Sequence, residues 1–159
     1  ACPLLAVHPL LGRFISMKFR CAGITDSCID GLEYSPALCI FFQGCTLKCP
    51  SCQNPSLQDA TGGEEIDTDE VIWIASSHND FYRGMVFTGG DPLEQPEALY
   101  ELASKVDFPK VLYTGRKYEE IKPELRDLFD IIVDGPYVEA LKTGSFPASS
   151  NQAVTRKGK

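Results

Sequence analysis

Three cysteines in one short stretch are the residues whose spacing could do chemistry. Cys45, Cys49 and Cys52 have the pattern C-x3-C-x2-C and directly follow an apolar run at residues 37–42. Thiolates are soft ligands that suit zinc or an iron–sulfur cluster. Bacterial ferredoxins use four cysteines, commonly with C-x2-C-x2-C spacing. Three cysteines on a four-iron cluster would leave one iron without a protein ligand, and a substrate could bind there.

A structural zinc site is an alternative that the cysteines alone leave open. Such a site has four ligands, usually from two pairs of the C-x2-C type, and this loop supplies only one pair. Cys28 or Cys39 would have to complete it. Otherwise we expect Cys39 to be a core thiol, because apolar residues flank it, and Cys2, Cys21 and Cys28 to be free thiols.

Strands and helices alternate around the cysteine loop and must position it. Short apolar runs predict four strands, and apolar residues at helical spacing predict three helices between them. The third helix contains Pro123, which breaks or restarts it. This alternation predicts βαβ units and a mostly parallel sheet. Four units are too few for a closed eight-unit barrel, so we expect an α/β fold of the open partial (β/α) barrel type. The predicted strands are 37–42, 84–88, 110–113 and 130–133. The first helix is expected to start at residues 67–70, and the apolar residues of the second and third lie at 99–106 and 121–129.

The chain is expected to form one domain with an N-terminal addition. A length of 159 residues fits a single domain. Residues 1–36 are interpreted as an N-terminal extension with a weak strand at 13–19 and a loop at 22–36, and Met17 could be the natural start. Residues 37–159 are assigned to the barrel domain, with a tail after residue 137 that wraps the surface.

Composition excludes some function classes. The net charge of −7 and the pI near 4.8 argue against a nucleic-acid or anionic-membrane binder. The sequence has no run of 18 apolar residues, so no transmembrane helix is predicted. Seven cysteines, an odd number with three clustered, fit metal binding in a reducing compartment. We therefore expect a cytoplasmic protein.

Each predicted strand ends in a turn that could contact a ligand. The second strand ends in Thr88-Gly89-Gly90-Asp91, the third in Tyr113-Thr114-Gly115 and the fourth in Asp134-Gly135. In parallel α/β folds, sites form at the carboxyl ends of the strands. These turns should therefore meet the cysteines on one face. Ordinary turn chemistry is the alternative, with Asp91 as a helix cap before Pro92.

The cysteine loop after a first strand and the Gly-Gly-Asp-Pro turn after a second resemble the radical S-adenosylmethionine superfamily. Within it, the chain is similar to the small activating proteins of anaerobic ribonucleotide reductase, and the resemblance covers residues 38 to 152. The segments that carry it are Gly44-Cys45, Cys49-Pro50-Ser51-Cys52, Asn54, residues 89–93, Tyr113-Thr114-Gly115, Val133-Asp134-Gly135 and Ser150-Asn151-Gln152.

The resemblance implies two cofactors. Cys45, Cys49 and Cys52 would hold a [4Fe-4S] cluster, and the methionine end of S-adenosylmethionine would chelate the fourth iron. The two glycines would let backbone approach the methionine moiety, and Asp91 could accept from its ammonium group. The superfamily usually has an aromatic residue where this chain has Ser51, whereas small residues stand there in the reductase activators. Relatives commonly have an aromatic residue at the position of Gln53. The predicted cofactor-binding residues are Ser51, Cys52, Gln53, Thr88, Gly89, Gly90, Asp91, Tyr113 and Asp134.

The resemblance also implies a reaction and partners. Reductive cleavage of S-adenosylmethionine would give a 5′-deoxyadenosyl radical, which takes a hydrogen from a glycine in the large subunit of anaerobic ribonucleotide reductase. The electron would come from a reduced flavodoxin or ferredoxin, with Lys48 as a docking charge or a plain solvated lysine. Pro147-Ala148 stands where relatives often have Arg-Gly. Two alternatives remain: a small-molecule radical enzyme, such as one making a modified-base precursor, and a zinc-stabilised interaction module.

Overall fold

A seven-stranded sheet forms the centre of the computed structural model, which describes residues 16–158. The strands lie in the order β3-β1-β2-β4-β5-β6-β7. The four central strands run parallel, whereas β1 and β3 on one side and β7 on the other are antiparallel additions. Their bounds are β1 Lys18–Cys28, β2 Ala37–Phe42, β3 Glu64–Asp67, β4 Gly84–Gly89, β5 Lys110–Tyr113, β6 Ile131–Asp134 and β7 Ala153–Arg156.

The four central strands are those that the apolar runs predict, to within one residue at each end. They are apolar on both faces because both faces are covered. Leu38, Ile40 and Phe42 point into the larger cluster with the helices, while Ala37 and Cys39 belong to a smaller cluster on the other face. Successive side chains of a strand alternate between faces, so a strand covered twice needs a continuous apolar run.

Three helices connect the parallel strands, as predicted. They are α1 Thr68–Ser77, α2 Pro96–Lys105 and α3 Pro123–Arg126. Helix α1 begins with Asp69 and Glu70 in its first turn, where carboxylates favour the positive end of the helix dipole. The third helix is a single turn that begins at Pro123, since proline fits the first position of a helix but not its interior.

The antiparallel strands differ from the predictions. The loop predicted at 22–36 is wrong for its first part, because β1 continues to Cys28. Two register shifts in its pairing with β2 and partial exposure removed the regular alternation that marks a strand. The tail after residue 137 does not only wrap the surface, since β7 pairs with β6. Strand β3 was not predicted.

The α/β class is confirmed, and the open partial barrel stays a prediction. Strand β1 pairs with β2, so the sheet joins residues on both sides of the predicted boundary at 36/37. Residues 13–15 of the strand predicted at 13–19, and residues 1–15 of the extension, lie outside the described residues, whereas Lys18 and Phe19 begin β1. Within residues 16–158, no helix is long and apolar enough to cross a membrane.

Candidate active site

The cysteine loop is fastened by backbone hydrogen bonds to the turn that follows β4. The N–H of Gly90 donates to the carbonyl of Phe42 at 2.8 Å, and the N–H of Asp91 donates to the carbonyl of Gly44 at 2.9 Å. On the other side of the loop, Gly44 donates to the carbonyl of Leu57 at 2.8 Å. The start of the cysteine loop is thus held between two segments of backbone.

Gly89 and Gly90 make this close approach possible. A Cβ atom on Gly89 would lie 2.3 Å from both the nitrogen and the oxygen of Phe42, and Gly89 has a φ of +123°. A Cβ atom on Gly90 would lie 2.3 Å from the carbonyl oxygen of Gly44. These neighbours are backbone and cannot move aside. Gly89 and Gly90 are therefore required for the turn after β4 to pack against the cysteine loop, independently of any contact with a ligand.

The three cysteines border one cavity of about 160 Å³ together with the strand ends, as the topology predicts. An adjoining cavity of about 390 Å³ shares seven lining residues with it. Two larger surface grooves, of about 630 and 680 Å³, lie elsewhere, and no cysteine is among the described residues that line them. The candidate site is therefore identified by its three cysteines and not by the volume of its cavity. The residues shared by the two adjoining cavities are Gln53, Asn54, Thr88, Tyr113, Val133, Tyr137 and Gln152.

Some of the predicted cofactor residues line these cavities and others do not. Cys52, Gly89 and Gly90 line the smaller cavity, and Gln53, Thr88 and Tyr113 line both. Ser51, Asp91 and Asp134 line neither. The cofactor contacts of all nine residues stay predictions.

Asp91 is fully buried, and its carboxylate is occupied by protein donors. It accepts from the N–H of Leu93 at 2.9 Å, from the Thr114 hydroxyl at 2.9 Å and from the N–H of Gly115 at 3.0 Å. Burial raises the pKa of Asp91 above its ordinary value, although these hydrogen bonds act in the opposite direction. In this arrangement Asp91 ties the turn after β4 to the turn after β5.

Asp134 performs a similar task at the end of β6. Its Oδ2 accepts from the N–H of Tyr118 at 3.0 Å, whereas its buried Oδ1 has no protein partner. Burial raises the pKa of this carboxyl. The neighbouring Gly135 carbonyl accepts from the Gln152 amide at 3.2 Å, so the Ser150-Asn151-Gln152 segment fastens this turn to the start of β7.

A further contact joins the cysteine loop to the turn after β5. Arg116 Nη2 lies 2.8 Å from Glu94 Oε1, and the same oxygen accepts from the N–H and the hydroxyl of Thr46, at 3.1 and 2.6 Å. Partial burial acts to raise the pKa of Glu94, but the Thr46 donors and Arg116 outweigh it and lower the pKa. Thr46 follows Cys45 directly, so this clamp of Thr46, Glu94 and Arg116 restrains the first cysteine.

The surroundings of the thiols suit a cluster better than a single ion. Burial raises the pKa of Cys45, while the backbone N–H groups of Leu47 and Lys48 donate to its sulfur and lower it. Such donors stabilise a thiolate. Among the described residues, only Cys28, Asp30 and Cys39 bring three possible ligand atoms within 4.8 Å of one another. The loop sulfurs are therefore spread more widely than one tetrahedral zinc, with neighbouring sulfurs about 3.8 Å apart, would require.

Zinc completed by Cys28 or Cys39 also fails to fit. Cys39 belongs to the small apolar cluster beside Val86 and Val111, and Cys28 lies against it. Neither thiol lines the cavity of the loop cysteines. The predicted core position of Cys39 is confirmed, and Cys21 and Cys28 are free thiols. Cys2 lies outside the described residues.

Sequence reasoning missed several residues around the site. Tyr137 and Gln58 line the smaller cavity. Gln43 is buried, and its amide donates to the carbonyl of Asp59 at 2.6 Å, which holds the chain that returns from the cysteine loop. Gln95 joins the ends of β1 and β2 through the backbone of Arg20 and the carbonyl of Gln43. The position of Gln43 next to the cysteine motif was the only available signal.

Comparison with known proteins identifies the family to which the chain belongs. Residues 31–155 match the family described as a 4Fe-4S single cluster domain. The chain belongs to this family, since the match covers most of its length. The predicted resemblance to radical S-adenosylmethionine activating enzymes is confirmed, and so are the two cofactors, a [4Fe-4S] cluster and S-adenosylmethionine.

Individual relatives are activating enzymes. The anaerobic ribonucleoside-triphosphate reductase-activating protein of Escherichia coli K12 is 29% identical over 131 residues, covering 72% of this chain and 84% of that protein. The pyruvate formate-lyase-activating enzyme of Clostridium pasteurianum is 34% identical over 67 residues, 40% of this chain and 28% of the enzyme. The pyruvate formate-lyase 1-activating enzyme of E. coli K12 is 25% identical over 134 residues, 78% of this chain and 51% of the enzyme.

Proposed function

We propose that this protein uses S-adenosylmethionine and a [4Fe-4S] cluster to generate a glycyl radical on an anaerobic ribonucleotide reductase. The observation that carries the proposal is the convergence of Cys45, Cys49 and Cys52 with three strand ends on one cavity. The reductase is chosen as target because the alignment with its activating protein extends over 84% of that relative.

Cys45, Cys49 and Cys52 would hold the cluster, and the cavity between them and the strand ends would take S-adenosylmethionine. When bound, the cluster supplies the electron for reductive cleavage of S-adenosylmethionine. The chain's own contribution is positional. Its glycine turn and the clamp of Thr46, Glu94 and Arg116 keep the cysteine loop at the cavity, and a fixed site avoids the cost of reorganisation during reaction.

The adjoining cavity supports access by a second molecule. It shares Gln53, Thr88 and Tyr113 with the cysteine cavity and extends to Ser145 and to Phe146, a residue that is 43% exposed. A protein loop that carries the target glycine would enter here. A reduced flavodoxin or ferredoxin is proposed as the electron donor, with the exposed Lys48 beside the cysteines as one docking charge.

Two anaerobic measurements test the proposal. The reconstituted protein is mixed with dithionite and S-adenosylmethionine, and 5′-deoxyadenosine is quantified. The candidate reductase is then added, and the glycyl doublet is sought by electron paramagnetic resonance. We expect both signals. Zinc bound at Cys45, Cys49 and Cys52 without cleavage would contradict the radical chemistry and favour the interaction module. Cleavage without the doublet would contradict only the target.

A small-molecule substrate is the second candidate function. The polar side chains of Asp30, Asn54 and Ser145 along the adjoining cavity favour it, because a small substrate needs fixed polar contacts. Pyruvate formate-lyase is a further possible protein target, since its activating enzymes are also relatives. Adding each reductase or lyase separately in the resonance experiment distinguishes the two protein targets. No doublet with either would favour the small-molecule substrate.

A further inference from the structure

Cys28, Asp30 and Cys39 form a second group of metal-ligating side chains, separate from the cysteine loop. One sulfur or oxygen atom of each lies within 4.8 Å of the other two. Cys28 Sγ and Asp30 Oδ2 are 3.4 Å apart. A tetrahedral zinc with one sulfur and one carboxylate oxygen separates those two ligand atoms by about 3.5 Å. The hydrogen-bonded pair of Cys28 and Asp30 therefore already has the spacing of two ligands of one ion, and Cys39 lies within 4.8 Å of both.

The sheet brings the two thiols together. Cys39 lies in β2 with its side chain in the small apolar cluster, and Cys28 ends the neighbouring strand β1. The pairing of the two strands shifts register between Thr25 and Cys28. A shift of this kind re-aims a side chain, and it leaves Cys28 within hydrogen-bonding reach of Cys39. Cys28 pairs with Ala37 and Cys39 pairs with Thr25, so the two cysteines are diagonal neighbours across the two strands.

Asp30, the third possible ligand, is held in place by hydrogen bonds of its backbone. The N–H of Asp30 lies 3.2 Å from Cys28 Sγ, and the carbonyl of Asp30 accepts from the Tyr113 hydroxyl at 2.8 Å. Outer contacts of this type orient ligands around protein-bound metals. Cys39 is buried, Cys28 is half-buried and Asp30 is exposed, so an ion could enter from the side of Asp30.

We propose that Cys28, Asp30 and Cys39 bind one zinc-like divalent cation, with water as the fourth ligand. Two sulfurs and one carboxylate select a borderline-soft ion over magnesium or calcium, which take oxygen ligands. Asp30 and Tyr113 also border the adjoining cavity, so the ion would lie beside the wall of the active site. This site is independent of the cluster and of the proposed target.

Zinc binding to the cluster-reconstituted full chain tests the proposal. After anaerobic incubation with Zn²⁺ and desalting, iron and zinc are measured together. We expect about one zinc per chain, and a zinc dissociation constant raised at least about tenfold in Cys28→Ser and in Asp30→Asn, with iron unchanged. Cys21→Ser, another free thiol of β1, is the matched control and should keep the zinc.

X-ray absorption at the zinc edge and the melting temperature give independent readouts. The spectrum should show two sulfur neighbours, and Zn²⁺ should raise the melting temperature of the wild type but not of Cys28→Ser. Equal zinc binding by Cys28→Ser would overturn the site. So would three or more sulfur neighbours, no retained zinc, or a disulfide between Cys28 and Cys39 in the anaerobic protein.

Discussion

Replacing Gly89 by alanine should destabilise the protein strongly, although it adds a single methyl group. The new Cβ would lie 2.3 Å from two backbone atoms of Phe42, and the φ of +123° is unfavourable for any residue with a side chain. Overpacking of this kind costs about 1–3 kcal/mol. The backbone conformation adds about 1–2 kcal/mol. The free energy of unfolding should therefore fall by about 2–5 kcal/mol.

Urea unfolding of the cluster-free protein measures this loss without a contribution from iron. With a slope of about 2 kcal/mol per M, the midpoint should fall by about 1–2.5 M. Gly23→Ala is the matched control, because a Cβ there meets no atom within 4 Å. Iron content after reconstitution should fall in Gly89→Ala but not in Gly23→Ala. Equal midpoints for the two variants would refute the packing role assigned to Gly89.

Three further predictions concern the cysteines and the carboxylates. Cys49→Ala should abolish the cluster, whereas Cys39→Ala should retain it, as iron and sulfide analysis will show; loss in both would mean that the ligand assignment is wrong. Asp91→Asn should cost about 1–3 kcal/mol in urea unfolding, because a buried acceptor is replaced by a donor that faces other donors, while the exposed Asp80→Asn should change little. The pKa of Glu94 is lowered from 4.5 in the folded state, so its stabilising effect is present above about pH 4.5 and is lost as the pH falls through the folded pKa. The difference in unfolding free energy between wild type and Glu94→Gln should shrink between about pH 6 and pH 3, and a constant difference would count against the clamp.

The central strands were predictable because they are buried on both faces. A continuous apolar run of this length, such as 37–42, is typical of a strand that is covered on both faces. The antiparallel strands carry a weaker signal. In β1, only Phe19 and Cys21 are buried, and the register shifts near Gly23 and Cys28 break the alternation. A strand whose pairing is irregular cannot be identified from a pattern of period two.

The location of the site was predictable for a different reason. Parallel strands place their carboxyl ends at one edge of a sheet, so Cys45, Thr88 and Tyr113 were expected to lie close together. In the structure these three residues line one cavity. The clamp was not predictable. Thr46, Glu94 and Arg116 are ordinary polar residues, 48 and 22 positions apart in the chain, and only the folded sheet brings them together.

The site separates residues that hold the cysteine loop from residues that face its cavity. Gly89 and Gly90 serve both purposes, because they pack against backbone on one side and line the cavity on the other. Asp91 serves only the first, since its oxygens are taken by Leu93, Thr114 and Gly115. A substitution at Asp91 should therefore lower both cluster binding and the stability of the fold. Gln53 is exposed and lines both cavities, so a substitution there should change the affinity for S-adenosylmethionine without unfolding the loop.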